Sequence, residues 1–257
     1  MPRKPTLSPS KLTTYLACPV KYKWTYIDAR GKWYLRSKSY YSFGSSLHKA
    51  LERFHDSSDV GVTTTQEAVA ALEESWIDAG YSSSEEMAEA MGIGREIIEK
   101  ATTHHLEKRP DTKTLFVERQ FRYDMNEFVL IGRLDRLDER ADGELEIIDY
   151  KSGRQGVTAE EVANDVAMGV YQLLVRRKFP DRQVRATIMA LRSGEEGSAS
   201  MTDEELERFE ADIKELCFEV LNKNWDELTP IFKPICPRCD FLPLCRRYEE
   251  FTEVTLD

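Results

Sequence analysis

Two neighbouring stretches, LIGRLDRLDE at residues 130–139 and LEIIDYKSG at residues 145–153, decide the fold of this chain. Residues 130–137 and 145–150 both read as strands, rich in Ile and Leu with partial alternation. Asp142-Gly143 between them is a turn signal, so the pair reads as an antiparallel hairpin. Side chains two apart on a strand share a face, which puts Asp149 and Lys151 together. Asp135 then approaches Asp149 from the partner strand. Two carboxylates and one ammonium are poor core material, because each buried charge must be paired. They suit a hard divalent cation beside a phosphate. The plain alternative is a cross-strand ion pair between Asp149 and Lys151 at a sheet edge.

The 257 residues fit one large domain, or a domain with a helical insertion. An apolar fraction of 41% supports a core, and 32% charged residues imply a well-solvated surface. The net charge of −10 argues against a general polyanion binder, but its distribution is uneven. Residues 1–54 carry +9, which leaves −19 for the remainder. Aromatics are interleaved in the basic stretch: Tyr15, Tyr22, Trp24, Tyr26, Trp33, Tyr34, Tyr40, Tyr41 and Phe43. Cations hold a nucleic-acid backbone and aromatics stack on unpaired bases, so DNA, single-stranded or at duplex ends, is the expected partner. Lys21, Lys23 and Trp24 are candidate substrate contacts. Two readings are open for Tyr22 and Trp24, stacking on bases or packing against the cysteine segment. The acidic remainder would repel DNA elsewhere and focus it on one face.

Five cysteines are present, and Cys236, Cys239 and Cys245 fall in the short stretch CPRCDFLPLC. No signal peptide and no membrane-length apolar run is evident, so a cytoplasmic location with reduced thiols is expected. Clustered thiols then imply a metal, either zinc or an iron–sulfur cluster. For the fourth ligand, Cys217 borders the apolar stripe of a helix and reads as a buried inert thiol. Cys18 ends a short helix that opens with Ser8 as N-cap and Pro9, and it is the freer candidate.

Further elements follow from periodicity and capping. An irregular aromatic-basic stretch precedes a helix over residues 44–54 with Leu47, Ala50, Leu51 and Phe54 buried. Thr64 and Glu67 form a capping box for a second helix. A third spans residues 85–106 and ends at Arg109-Pro110, with Gly92 and Gly94 as potential breaks. Residues 115–123 read as a strand in which Glu118 is a candidate supplementary acid near the metal, although a strand glutamate is more ordinarily solvent-facing. Residues 158–179 read as one helix, 184–191 as a strand, and Thr202 with Glu205 caps a long helix to residue 222. His55, His104 and His105 read as surface residues.

The pattern of an acid on one strand and Asp-x-Lys on the next resembles the PD-(D/E)XK nuclease superfamily. The distant Cys18, followed by Cys236, Cys239 and Cys245, resembles its RecB-like iron–sulfur branch, which includes the AddB nuclease domain and CRISPR-associated adaptation nucleases. The resemblance runs from LSPSKLTTYLACP to CDFLPLC. It implies an α/β, restriction-endonuclease-like core, a central mixed sheet flanked by helices, formed by residues 115–191. It also implies a helical insertion at 56–110 and a [4Fe-4S] cluster, or alternatively zinc, that joins segment 1–43 to segment 200–257 in a single domain. GSSLHKALERF resembles the segment that supplies a metal-binding histidine, here His48. Mg2+ or Mn2+ would be held by His48, Asp135, Asp149 and the Tyr150 carbonyl, and Lys151 would orient the attacking water. Tyr171 matches the family's Gln-x-x-x-Tyr, but Ala167 occupies the glutamine position and Gln172 points about 100° away. The expected activity is a metal-dependent DNase, an exonuclease on single strands or ends, working alone or within a repair or CRISPR-adaptation complex. Two rival readings are an iron–sulfur DNA-binding subunit with a vestigial centre and a zinc-stapled scaffold.

Overall fold

The computed structural model describes residues 4–56, 62–109, 111–153 and 155–255, so Arg3 and Pro110 lie outside the described residues. Alternating Ile and Leu build β3 (Val129–Glu139) and β4 (Leu145–Lys151) as the expected antiparallel pair, with Gly143 at φ +86° in the turn. β2 (Lys113–Asp124) pairs antiparallel along the whole of β3. β5 (Val184–Ala190) is parallel to β4, and β6 (Glu195–Ala199) closes the far edge antiparallel to β5. A two-residue strand, β1 (Thr6–Leu7), joins the start of β3 in parallel and completes a six-stranded mixed sheet. The sequence reading misses β1 and β6. β6 reads EEGSA, a polar edge strand without an apolar alternation to announce it.

Helices cover both faces. On one face lie α1 (Pro9–Ala17), α8 (Val166–Lys178) and α9 (Asp203–Asn222), whose Leu12, Tyr15, Leu173, Leu174, Ile213 and Val220 form the larger core with Leu134 and Ile147 of the sheet. On the other lie α4 (Ser39–His55), α5 (Thr65–Glu74) and α6 (Ser84–Lys108), which bury Leu47, Leu51, Leu72 and Ile98 against Ile148 and Tyr150. The inserted helices therefore belong to a second core layer. α6 runs unbroken through Gly92 and Gly94. A Cβ on Gly94 would stand 3.2 Å from the Trp76 ring, so this glycine serves close packing and not a bend. Among the described residues no helix is long and apolar enough to cross a membrane.

Three local expectations are corrected. The stretch between α1 and α4 is helical rather than irregular. It contains α2 (Pro19–Tyr22), a π-helical turn at Lys23–Ile27 and α3 (Gly31–Tyr34). The helix expected over 158–179 is two, α7 (Ala159–Ala163) and α8. Asp165 breaks it, because its carboxylate accepts the backbone N–H groups of Ala167 at 2.8 Å and Met168 at 3.2 Å and restarts the helix.

The third correction concerns His55, which is buried instead of lying on the surface. Its Nε2 meets Nη1 of Arg136, a guanidinium only 1% exposed, which also donates to the Tyr150 hydroxyl at 2.7 Å and pairs with Asp138 at 3.0 Å. A guanidinium can only donate, so Nε2 must accept and His55 is held neutral. His105 packs edge-on to His55, ring centroids 4.5 Å apart, so it too is drawn inward, whereas His104 stays partly exposed. Burial first, and the Arg136 charge second, push His55 well below the ordinary 6.5 and His105 down to about 4. The unfolded chain takes up protons below 6.5 that the folded chain refuses. Stability from these groups is therefore complete above pH 6.5 and falls as pH drops towards 4. Urea midpoints should decline across that window, and His105→Asn should flatten the decline.

Candidate active site at the split end of the sheet

The pairing of β3 with β4 ends at Arg136 opposite Ile148, and the pairing of β3 with β1 ends at Leu130. Between those points the sheet is split on that edge of β3, and the cleft opens at Asp135. Where the ladder stops, side chains take over its hydrogen bonds. The Tyr150 N–H donates to Asp135 Oδ2 at 2.9 Å, and the Tyr150 carbonyl lies 3.0 Å from His48 Nε2. Alternation on β4 then sends Tyr150 into the α4 layer while Asp149 and Lys151 face the α8 side.

His48 sits on α4 with Nδ1 3.4 Å from Asp135 and 3.9 Å from Glu118. Ligand atoms of His48, Glu118 and Asp135 all lie within 4.8 Å of one another, the one such group among the described residues. The two ring nitrogens of His48 are divided between these groups, Nδ1 facing the carboxylates and Nε2 the Tyr150 carbonyl. An imidazole, two carboxylates and a carbonyl are a donor set that Mg2+ or Mn2+ accepts. Burial works against a charge on His48, but Asp135 and Glu118 outweigh it and raise its pKa to about 10.

Asp149 is deeper, 5% exposed, with its carboxylate 2.6 Å from Lys151 Nζ. It stands outside the group of three, turned onto the lysine. Burial, then the charge of Asp135, pushes its pKa up to about 6 against the pull of Lys151. Burial disfavours the Lys151 ammonium, but Asp149 and Asp135 more than offset this and hold it above 10.5, so Lys151 is a cation at neutral pH.

Glu118 is the residue the sequence undervalues. It stands in β2 opposite Asp135 with φ +49°, a left-handed conformation that β-strand residues avoid. That twist turns the carboxylate inward, where Arg133 pairs with it at 2.6 Å. Alternation alone offered no signal for it. Glu118→Gln should weaken Mn2+ binding by about tenfold or more in a calorimetric titration, with the melting temperature little changed.

Tyr171 reaches the site from α8, where burial raises its pKa and the charges of Asp149 and Asp135 add to that. Gly132 permits the approach, since a Cβ there would stand 2.9 Å from the Tyr171 ring. Gln172 does not replace the missing glutamine. It is buried, and its Oε1 accepts from the Met201 N–H at 3.0 Å. Ala167 lies in a small cluster with Val162 and Ala186.

The N-terminal substrate candidates are engaged internally. Lys23 donates to the Trp225 carbonyl at 2.5 Å, and Trp24 packs on Phe241 with ring centroids 5.7 Å apart. Lys21 lines the same small cavity as Trp24, and that cavity is also lined by Cys18, Cys236, Cys239 and Cys245. Backbone N–H groups of Lys21 and Lys233 point at the sulfurs of Cys18 and Cys236, at 3.4 and 3.3 Å. Cys217 is fully buried in the larger core, away from these four, and burial raises its pKa to about 12.

A family model described as PD-(D/E)XK nuclease superfamily matches residues 6–246. An ATP-dependent helicase/deoxyribonuclease subunit from Streptococcus pyogenes serotype M12 (strain MGAS2096) is 30% identical over 113 residues, which cover 42% of this chain and 10% of that protein. Its counterpart from serotype M6 (strain ATCC BAA-946 / MGAS10394) is 29% identical over the same length, again 10% of the relative. A solved structure titled "Crystal structure of SSO0001" aligns over 81% of this chain and 96% of that one, at 12% identity and a TM-score of 0.35. With the Asp135, Asp149 and Lys151 side chains set around the split between β3 and β4, and the family match running from β1 to α10 (Leu242–Cys245), this chain belongs to the PD-(D/E)XK nuclease superfamily.

Proposed function

We propose that the protein is a metal-dependent deoxyribonuclease that hydrolyses phosphodiester bonds, acting on single-stranded DNA or DNA ends as an exonuclease in DNA repair or processing. The observation that carries this reading is the meeting of His48, Glu118 and Asp135 in one open groove, with the deeper Asp149–Lys151 pair electrostatically linked to Asp135. His48, Glu118, Asp135 and the Tyr150 carbonyl would hold Mg2+ or Mn2+, with Asp149 turning to join them from its pair with Lys151. Bound there, the ion supplies charge neutralisation at the phosphate and a water of lowered pKa.

The protein's own residues do the rest. Asp135 is fixed by the Tyr150 N–H, so its carboxylate keeps one orientation. Lys151 stays protonated, which suits it to orient the attacking water and stabilise negative charge as it develops on the phosphate. It is not suited to remove a proton. No covalent enzyme intermediate is required.

The four cysteines would hold a [4Fe-4S] cluster that ties α1 to the C-terminal segment. The four thiols line one small cavity, and thiolates suit either that cluster or zinc. Binding would add directly to folding stability. The partial match to a helicase/deoxyribonuclease component supports work beside a helicase in a larger complex.

The test is cleavage of end-labelled single-stranded DNA by anaerobically purified protein. Degradation with Mn2+ that stops on chelation supports the nuclease. Absence of cleavage by protein with its visible iron absorbance intact would favour the DNA-binding subunit, for which Ala167 in place of the family glutamine is the argument.

A further inference from the structure

The groove beside His48 has a volume of about 670 Å³, and its outer wall is aromatic. Tyr40 and Tyr41 line it at the first turn of α4, 56% and 62% exposed, with ring centroids 4.4 Å apart. Trp33 is 68% exposed but does not line the groove, and four other aromatics of the basic N-terminal stretch have internal partners. Tyr22 stacks on Trp225, Trp24 and Tyr34 pack on Phe241, and Phe43 packs on Trp76. The tyrosine pair instead presents its rings to the groove.

Helix geometry ties the pair to the chemistry. Tyr41 and His48 are seven residues apart, two turns on one face of α4 and about 10.5 Å along its axis. Gly44 and Ser45 lie between them, so the groove floor from the tyrosines to His48 carries no large side chain. Cations flank this path, each in an ion pair that a strand's phosphates would have to share. Arg133 pairs with Glu118 and Lys49 with Glu52, both at 2.6 Å along the groove. Lys38, 5.8 Å from the Tyr40 ring, pairs with Asp240 at 3.2 Å. Exposed rings follow each other along a floor bordered by cations and end at a phosphate-cleaving centre. That order matches a strand whose backbone tracks the cations while an unpaired base meets the rings.

We propose that Tyr40 and Tyr41 form a base-stacking step that selects single-stranded DNA and seats one unpaired base next to the nucleotide being cut. The proposal rests on the nuclease reading above. A base held in a duplex has both faces covered by its neighbours, so the step rejects intact duplex without any contact to base edges.

The test uses the full chain in EDTA and measures fluorescence anisotropy of a labelled oligo(dT) and of a matched blunt duplex. The proteins are wild type, Tyr40→Ala/Tyr41→Ala and Tyr40→Phe/Tyr41→Phe, with melting curves to verify the fold. The alanine pair should bind oligo(dT) at least about fivefold more weakly, with duplex affinity unchanged and the phenylalanine pair equal to wild type. Unchanged oligo(dT) binding by the alanine pair would overturn the proposal. So would an equal loss on duplex, or a loss in the phenylalanine pair, which would assign the effect to the hydroxyls. Cleavage of the same oligonucleotide by wild type with Mn2+ is read in parallel. Binding that depends on the tyrosines without cleavage would sink the nuclease reading alone, and cleavage with a neutral alanine pair would sink the stacking step alone.

Discussion

Lys151→Ala should lower the cleavage rate by about 10²–10³-fold while the protein remains folded and still binds Mn2+. Lys151 is the one ammonium within 2.6 Å of the Asp149 carboxylate among the described residues, and its neighbours keep it charged. Lys151 places positive charge where negative charge would develop on a phosphate, whereas Arg133 is committed to Glu118. The loss should therefore fall on kcat with little change in KM, since the ammonium acts on charge that grows during the reaction. Lys151→Arg should recover only part of the rate, as the longer planar group cannot take the same position against Asp149. A variant that cut at the wild-type rate in a preparation free of contaminating nuclease would remove Lys151 from the mechanism.

The largest effect on stability should come from Arg136→Leu, about 3–5 kcal/mol by equilibrium unfolding in urea. Arg136 is 1% exposed and Asp138 is fully buried, so removing the guanidinium strands a carboxylate in the α4 layer with only the Thr114 hydroxyl to serve it. The His55 nitrogen and the Tyr150 hydroxyl lose their donor as well. Tyr150→Phe deletes a single hydrogen bond and should cost only about 1 kcal/mol. The contrast between these variants separates the buried charge from the hydrogen bonds. Because His48 and His55 stand two turns apart on α4, Tyr150 is held to that helix at its carbonyl and, through Arg136, at its hydroxyl. The unfolding result thus reports on the same contact that sets the height of His48 over Asp135.

Much of this was legible in the chain, in places where one local rule acts alone. The β3–β4 hairpin follows from two apolar runs and Asp142-Gly143. Capping boxes at Thr64 and Thr202 sit at helix starts, as their spacing requires. Thr158 also caps a helix, yet the helix is short because Asp165 competes for the following N–H groups. Other features depend on partners far away in sequence. A histidine beside an apolar stripe has no local mark that tells surface from core. His55 is buried because Arg136, on a strand 81 residues later, lies underneath it. Glu118 has the alternation of a solvent-facing strand residue, and only a left-handed φ opposite Asp135 brings it inward. Lys23 and Trp24 have the composition of a nucleic-acid contact, yet their partners Trp225 and Phe241 come from the other end of the chain.

The sequence by itself determined the family, the catalytic strand pair, and the shared face of Asp149 and Lys151, because strand alternation is a property of the backbone and needs no partner. Tertiary structure decided which groups meet those residues. The split between β3 and β4 frees the backbone of Tyr150 for Asp135 and His48. The packing of α4 leaves Tyr40 and Tyr41 bare on the groove, while Tyr22, Trp24, Tyr34 and Phe43 pack on internal partners. Those outcomes turn on contacts between residues distant in sequence, and no local spacing encodes them.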